Sequence, residues 1–116
     1  MRKFVINIPY ELHENKGELF MAKKLSVIFT KGQMKRIKFT KEKIFIDLHG
    51  MSKNAAYWFI KCIIGMCQTT THLVLIHGYK HGTVIKEMIY TYHLSDYITS
   101  IFTDKHNMGQ THIIVR

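Results

Sequence analysis

The sequence predicts an α/β fold, a two-layer sandwich of one sheet and two helices, on three observations. From Ile44 onward, β-prone runs and amphipathic helical stripes alternate in the order β-α-β-α-β-β. The run Leu73-Val74-Leu75-Ile76 is apolar at every residue, the pattern of a buried central strand. The chain has 116 residues, 47% apolar with one Pro, which suits one domain with its own core and excludes a disordered or low-complexity chain. Strands linked through helices pair in parallel by right-handed crossovers, and the final hairpin adds antiparallel edges.

Each element follows from its local pattern. Lys3 to Ile8 is β-rich and reads as a short strand or arm, and Glu11 to Ala22 as a loop or weak helix. Leu25 to Thr30 reads as a strand, Lys31-Gly32-Gln33 as a turn, and Met34 to Phe39 as a second strand with Ile37 and Phe39 on one face. Together they predict a basic β-hairpin within an N-terminal extension, residues 1–43. The charged connector Lys41 to Lys43 is the expected boundary with a domain spanning 44–116. Ile44 to His49 is a strand broken by Gly50. Ser52 is an N-cap candidate for a helix from Lys53 to Gln68, whose stripe includes Ala56, Phe59, Ile60, Ile63 and Cys67. Trp58 and Ile64 widen that stripe and predict a largely covered helix. Thr83 follows the Gly78–Gly82 loop, and Val84, Ile85, Met88, Ile89 and Tyr92 mark a second helix. Tyr97 to Thr103 and Thr111 to Val115 are the last strands, joined by a turn at Asn107 to Gln110.

Charge narrows the function classes. Lys and Arg number 17 against 8 acidic residues, for a net charge of +9. Residues 1–45 carry +7 of it and the rest +2. A domain this basic favours a polyanionic partner, nucleic acid above all. No run of 18 apolar residues exists, so no membrane span is expected. The N-terminal apolar stretch is interrupted at Pro9, Glu11 and His13, so no secretory leader is expected either. Cys62 and Cys67 point about 140° apart on a helix, which disfavours a disulfide and fits reduced thiols in a cytoplasm.

The chemistry-bearing residues gather at strand ends. Asp47 and His49 are two apart, share a face, and precede Gly50. Ligands in open α/β sheets bind outside the carboxyl ends of strands. The loop His77-Gly78-Tyr79-Lys80-His81-Gly82-Thr83 leaves the end of the next parallel strand, so Asp47, His49 and His77 are expected in one shallow cleft. Amides at a helix start make an anion site, with Lys80 and His81 adding charge. There a phosphodiester would be cradled while His49 or His77 moves a proton, a task suited to imidazole. Asp47 would orient a histidine or bind a metal, or simply cap the turn through Gly50 or Ser52. His77 and His81 have the spacing of a zinc pair, but Gly78 and Gly82 argue against a helix through them, and no metal ligand is assigned. Tyr79 offers a ring for stacking on a base. His13, His72, His93, His106 and His112 are read as surface or strand positions.

The order of these motifs resembles the Smr (small MutS-related) domain over about residues 44–116. Asp47, His49 and Gly50 stand as its Asp-x-His-Gly element. His77, Gly78 and Gly82 stand as its Gly-rich loop, and Gly109 as its late turn. One departure stands out: Lys80 occupies the place of that loop's second Gly. The resemblance implies a fold like the C-terminal domain of translation initiation factor 3. It also implies nucleic-acid binding, often with nicking or endonuclease activity on DNA or RNA, and action by some members at stalled ribosomes. The resulting expectation is an endonuclease with Asp47, His49 and His77 as catalytic residues. Gly50, Gly78, Tyr79, Lys80, His81, Gly82 and Thr83 would hold the nucleic acid, with Lys31, Lys35, Arg36 and Lys38 of the basic hairpin widening the footprint. No cofactor is assigned and a divalent metal is left open. The rivals are a non-catalytic RNA- or ribosome-associated binding module, and a protein-interaction module that adds a strand at the hairpin edge.

Overall fold

The structure, a computed structural model, describes residues 16–78 and 83–116. In chain order the elements are α1 (Lys16–Ile28), α2 (Lys31–Met34), β1 (Ile37–Phe39), β2 (Ile44–Asp47), α3 (Lys53–Gly65), β3 (Thr71–Ile76), α4 (Thr83–Thr91), β4 (Ile98–Thr103) and β5 (Gln110–Val115). The five strands form one sheet in the order β1-β2-β3-β5-β4. β2 and β3 are parallel, and the other three pairings are antiparallel. The fold is an α/β two-layer sandwich.

Alternation along the strands builds the core. Ile37 and Phe39 of β1, Ile44 and Ile46 of β2, Leu73 and Leu75 of β3, and Ile113 and Val115 of β5 face one way. They join Leu25 of α1, Phe59, Ile60 and Ile63 of α3, and Met88 and Ile89 of α4 in a single apolar cluster. Burial of each such side chain stabilises the fold by about 1.5–3 kcal/mol. Ser52 caps α3 by accepting from the Ala55 amide at 3.2 Å, as its position predicts.

The N-terminal hairpin expected from the sequence is corrected. Leu25 to Ile28 belong to α1, not to a strand. Met21, Ala22, Leu25 and Phe29 are buried while Val27 is 78% exposed, and only a helix puts those positions on one side. Phe29 then meets Phe59 of α3 with ring centroids 4.9 Å apart. Lys31 to Met34, read as turn and strand, form α2. Thr30 accepts from the Gln33 amide while the Gln33 side chain accepts from the Thr30 amide, a reciprocal cap that starts a helix. The strand that remains, β1, pairs with β2 rather than with residues 25–30. The boundary expected at 41–43 therefore falls on a hairpin turn inside the sheet, closed by Thr40 and Lys43.

Three smaller differences follow from packing. Trp58 is 61% exposed, so α3 is covered on a narrower stripe than expected, although Ile64 is buried. The helix stops at Gly65 instead of Gln68. β5 is not an edge strand: it lies between β3 and β4, where Ile113 and Val115 become core. The strand or arm expected at Lys3 to Ile8 lies outside the described residues, as does the start of the segment Glu11 to Ala22.

Candidate functional site at the tips of the parallel strands

The parallel pairing of β2 and β3 sets Asp47 opposite Ile76. The Leu48 amide donates to the Ile76 carbonyl at 2.8 Å, so the two tips remain joined beyond the last ladder residue. The convergence expected from the sequence is therefore present. Gly50 follows with φ +78° and Gly78 with φ +77°, left-handed conformations that turn each chain sharply at the same end of the sheet.

Asp47 and His49 form a pair. The His49 ring Nδ1 lies 3.0 Å from Asp47 Oδ1, and the His49 backbone amide donates to the same oxygen at 3.1 Å. A carboxylate only accepts, so Nδ1 carries the proton and Nε2 is left as the basic nitrogen. The histidine side chain is 74% exposed and the aspartate 40%. An imidazole held by a carboxylate, with its second nitrogen toward solvent, can take a proton from a bound nucleophile.

Arg36 fixes this pair in a way that sequence reasoning missed. Its Nη1 donates to the carbonyls of Asp47 and His49, both at 3.0 Å. The Asp47 amide in turn donates to the Arg36 carbonyl at 2.8 Å. Expected as a phosphate contact, Arg36 has a further role as a clamp on the strand tip. The signal was the antiparallel register of β1 on β2, which sets Ile37 opposite Ile46 and so places Arg36 beside Asp47. Lys35, Arg36, Lys38, Phe45, Asp47 and Ile76 line an open cavity of about 260 Å³. Three cationic side chains thus border the carboxylate end of β2. Lys31 is exposed on α2.

His77 does not stand beside His49 as a second open imidazole. It is 2% exposed. Its Nδ1 lies 2.6 Å from the Gly78 carbonyl, and its Nε2 lies 2.8 Å from Thr111 Oγ1. A carbonyl only accepts, so Nδ1 donates, and Nε2 accepts from the threonine hydroxyl. Burial pushes the His77 pKa below the ordinary imidazole value, and Lys86 adds to the shift, against the bond to Gly78. The ring ties the end of β3 to β5. Period two gives the signal: Leu73, Leu75 and His77 share the core side of the strand.

The late glycine turn meets the same loop. The amides of His77 and Gly78 both donate to the Gly109 carbonyl, at 2.9 and 3.0 Å. A methyl group on Gly109 would sit 3.1 Å from the Gly78 Cα. Gly78 and Gly109 are therefore matched by close backbone approach.

Tyr79, Lys80, His81 and Gly82 lie outside the described residues. Thr83 is exposed and begins α4. Among the described residues, no group of three or more His, Cys, Asp or Glu is placed to hold a metal ion. Cys62 and Cys67 are free thiols, and no helix among the described residues is long and apolar enough to cross a membrane. Comparison with protein-family models and with curated proteins finds no match, so the likeness to Smr domains rests on the motif residues themselves.

Proposed function

We propose that this protein binds nucleic acid and hydrolyses phosphodiesters, with His49 as general base and Asp47 as the group that orients it. The observation that carries the reading is the 3.0 Å Asp47–His49 contact at a strand tip that Arg36 clamps. The bordering cavity with Lys35 and Lys38 supplies cations for a phosphate. In the step, His49 Nε2 takes a proton from water while the water oxygen bonds to phosphorus. The ester P–O bond breaks, and the departing oxygen takes a proton from solvent. His77 is a positioning residue that holds the β3 tip in place.

The resemblance to Smr domains supports the same reading. The free cysteines fit a cytoplasmic setting, and a ribosome-bound RNA is one natural form of the substrate. One observation favours a second reading, a binding module without chemistry: with both His77 nitrogens engaged, the tips of β2 and β3 themselves carry one open imidazole, His49, among the described residues.

Nicking of supercoiled plasmid and cleavage of structured RNA by wild type, Asp47→Ala and His49→Ala separate the two readings, with binding measured alongside. Loss of cleavage by about 10²-fold or more in His49→Ala, with affinity kept, supports hydrolysis. Salt-sensitive binding with no cleavage by wild type supports the binding module.

A further inference from the structure

Among the described residues α1, α3 and α4 pack on one side of the sheet, and on the other side one row of side chains crosses all five strands. Lys38 pairs with Phe45, Phe45 with Val74, Val74 with His112, and His112 with Phe102. Each faces away from the apolar cluster, which includes none of them. At about 4.8 Å per strand step, the row spans roughly 19 Å.

Its β4 end is built. The Phe102 ring lies on His112 with centroids 4.9 Å apart and planes 4° from parallel. His112 is 6% exposed and both its nitrogens are engaged. Nε2 donates to Asp104 Oδ2 at 2.7 Å, and Nδ1 lies 2.7 Å from His72 Nε2. Asp104 also accepts from the amides of His106 and Asn107. The imidazole is therefore a fixed plate beneath Phe102, a residue 45% exposed. A ring held flat on its inner side and open to solvent is a pre-organised stacking surface.

The other end of the row is cationic. Lys38 is exposed, and Lys35 and Arg36 line the cavity beside it. Lys43, in the β1–β2 turn, acts electrostatically on His72. An apolar patch meant for a protein core would not carry this margin. Aromatic faces at one end and cations at the other match an unpaired base and its phosphates.

We infer that the face of the sheet opposite α1, α3 and α4 binds single-stranded nucleic acid, stacking an unpaired base on Phe102 and leading its backbone toward Lys38 and the Asp47–His49 tip. This rests on the phosphodiester reading of that tip and adds the substrate class, because a paired base offers no free face. RNA and DNA share this chemistry and differ only as arms of the test.

The test is fluorescence anisotropy of the full chain with short labelled oligonucleotides of one sequence: single-stranded RNA, single-stranded DNA, their duplexes, and a DNA strand with abasic residues throughout. Phe102→Ala weakens single strands by about 5- to 100-fold, and Phe102→Tyr restores the affinity. Trp58→Ala, which removes an exposed aromatic from the helical side, leaves it unchanged. On the abasic strand the effect of Phe102→Ala disappears. A change within about 2-fold for Phe102→Ala, an equal loss on the abasic strand, or duplex binding as tight as single-strand binding overturns the inference. Binding needs no turnover: Phe102-dependent binding without cleavage keeps this inference and removes hydrolysis. Cleavage with no dependence of single-strand affinity on Phe102 does the reverse.

Discussion

At the scale of single residues, the glycines differ in what they forbid. Gly109→Ala places a methyl 3.1 Å from the Gly78 Cα and is expected to cost about 1–3 kcal/mol in urea unfolding. Gly65→Ala meets nothing within 4 Å inside α3 and is expected to stabilise by about 0.5–1 kcal/mol. Equal effects of the two would contradict the close approach of the turns. His77 gives a pH prediction. Its folded pKa is lowered, chiefly by burial, so between that value and the unfolded imidazole value the unfolded chain binds more protons. Stability from this group is present above the unfolded value near 6.5 and is lost as pH falls below it. His72, lowered chiefly by burial, acts in the same sense. Asp104 is held below the usual carboxylate range chiefly by His112, so its contribution is lost only at more acid pH, below about 3.8. Unfolding midpoints that fall from pH 7 to 5, less steeply in His77→Gln, are the expected result.

At the scale of elements, α1 decides the first correction. Val27 is exposed on a helix, so Val27→Ala is expected to stabilise by about 0.5 kcal/mol through helix propensity. Leu25→Ala is expected to cost about 2–5 kcal/mol, because Leu25 is fully buried. A strand at 25–30 would give a loss for Val27→Ala. The helix was hard to read because Val27-Ile28-Phe29-Thr30 is a local β-prone run, while its buried partners Met21 and Ala22 lie upstream in a polar stretch. By contrast, β2, α3, β3, α4, β4 and β5 were legible, because each is a helical stripe or a β-prone run set off by Gly, Ser, Thr or Asn, although the end of α3 was placed three residues late. The Asp47–His49 pair and its meeting with the β3 tip were legible for the same reason. The Arg36 clamp was not, because it depends on which strand β1 chooses. Arg36→Ala removes the nitrogen that donates to both carbonyls, and is expected to cost about 1–2 kcal/mol in stability. A larger fall in cleavage rate than in affinity is its expected kinetic signature.

At the scale of the whole molecule, the fold separates two faces of one sheet. One side holds the apolar cluster under α1, α3 and α4, and the other carries the cationic margin, the aromatic row and the Asp47–His49 tip. The net charge of +9 makes affinity for any polyanion fall with salt. Replacing Lys38 by Ala is expected to lower the slope of log affinity against log salt by roughly 0.7 on single strands, the effect of leaving one phosphate without its cation. An unchanged slope would place the strand elsewhere. The proposed hydrolysis uses His49 as the base, with Asp47 and Arg36 holding it. Single-turnover cleavage by His49→Ala, with and without imidazole in solution, decides this, since the exposed position leaves room for the small molecule. The expected result is a loss of about 10²-fold or more that added imidazole partly restores. Cleavage by His49→Ala at the wild-type rate, or cleavage by neither protein, would rule out this role for His49.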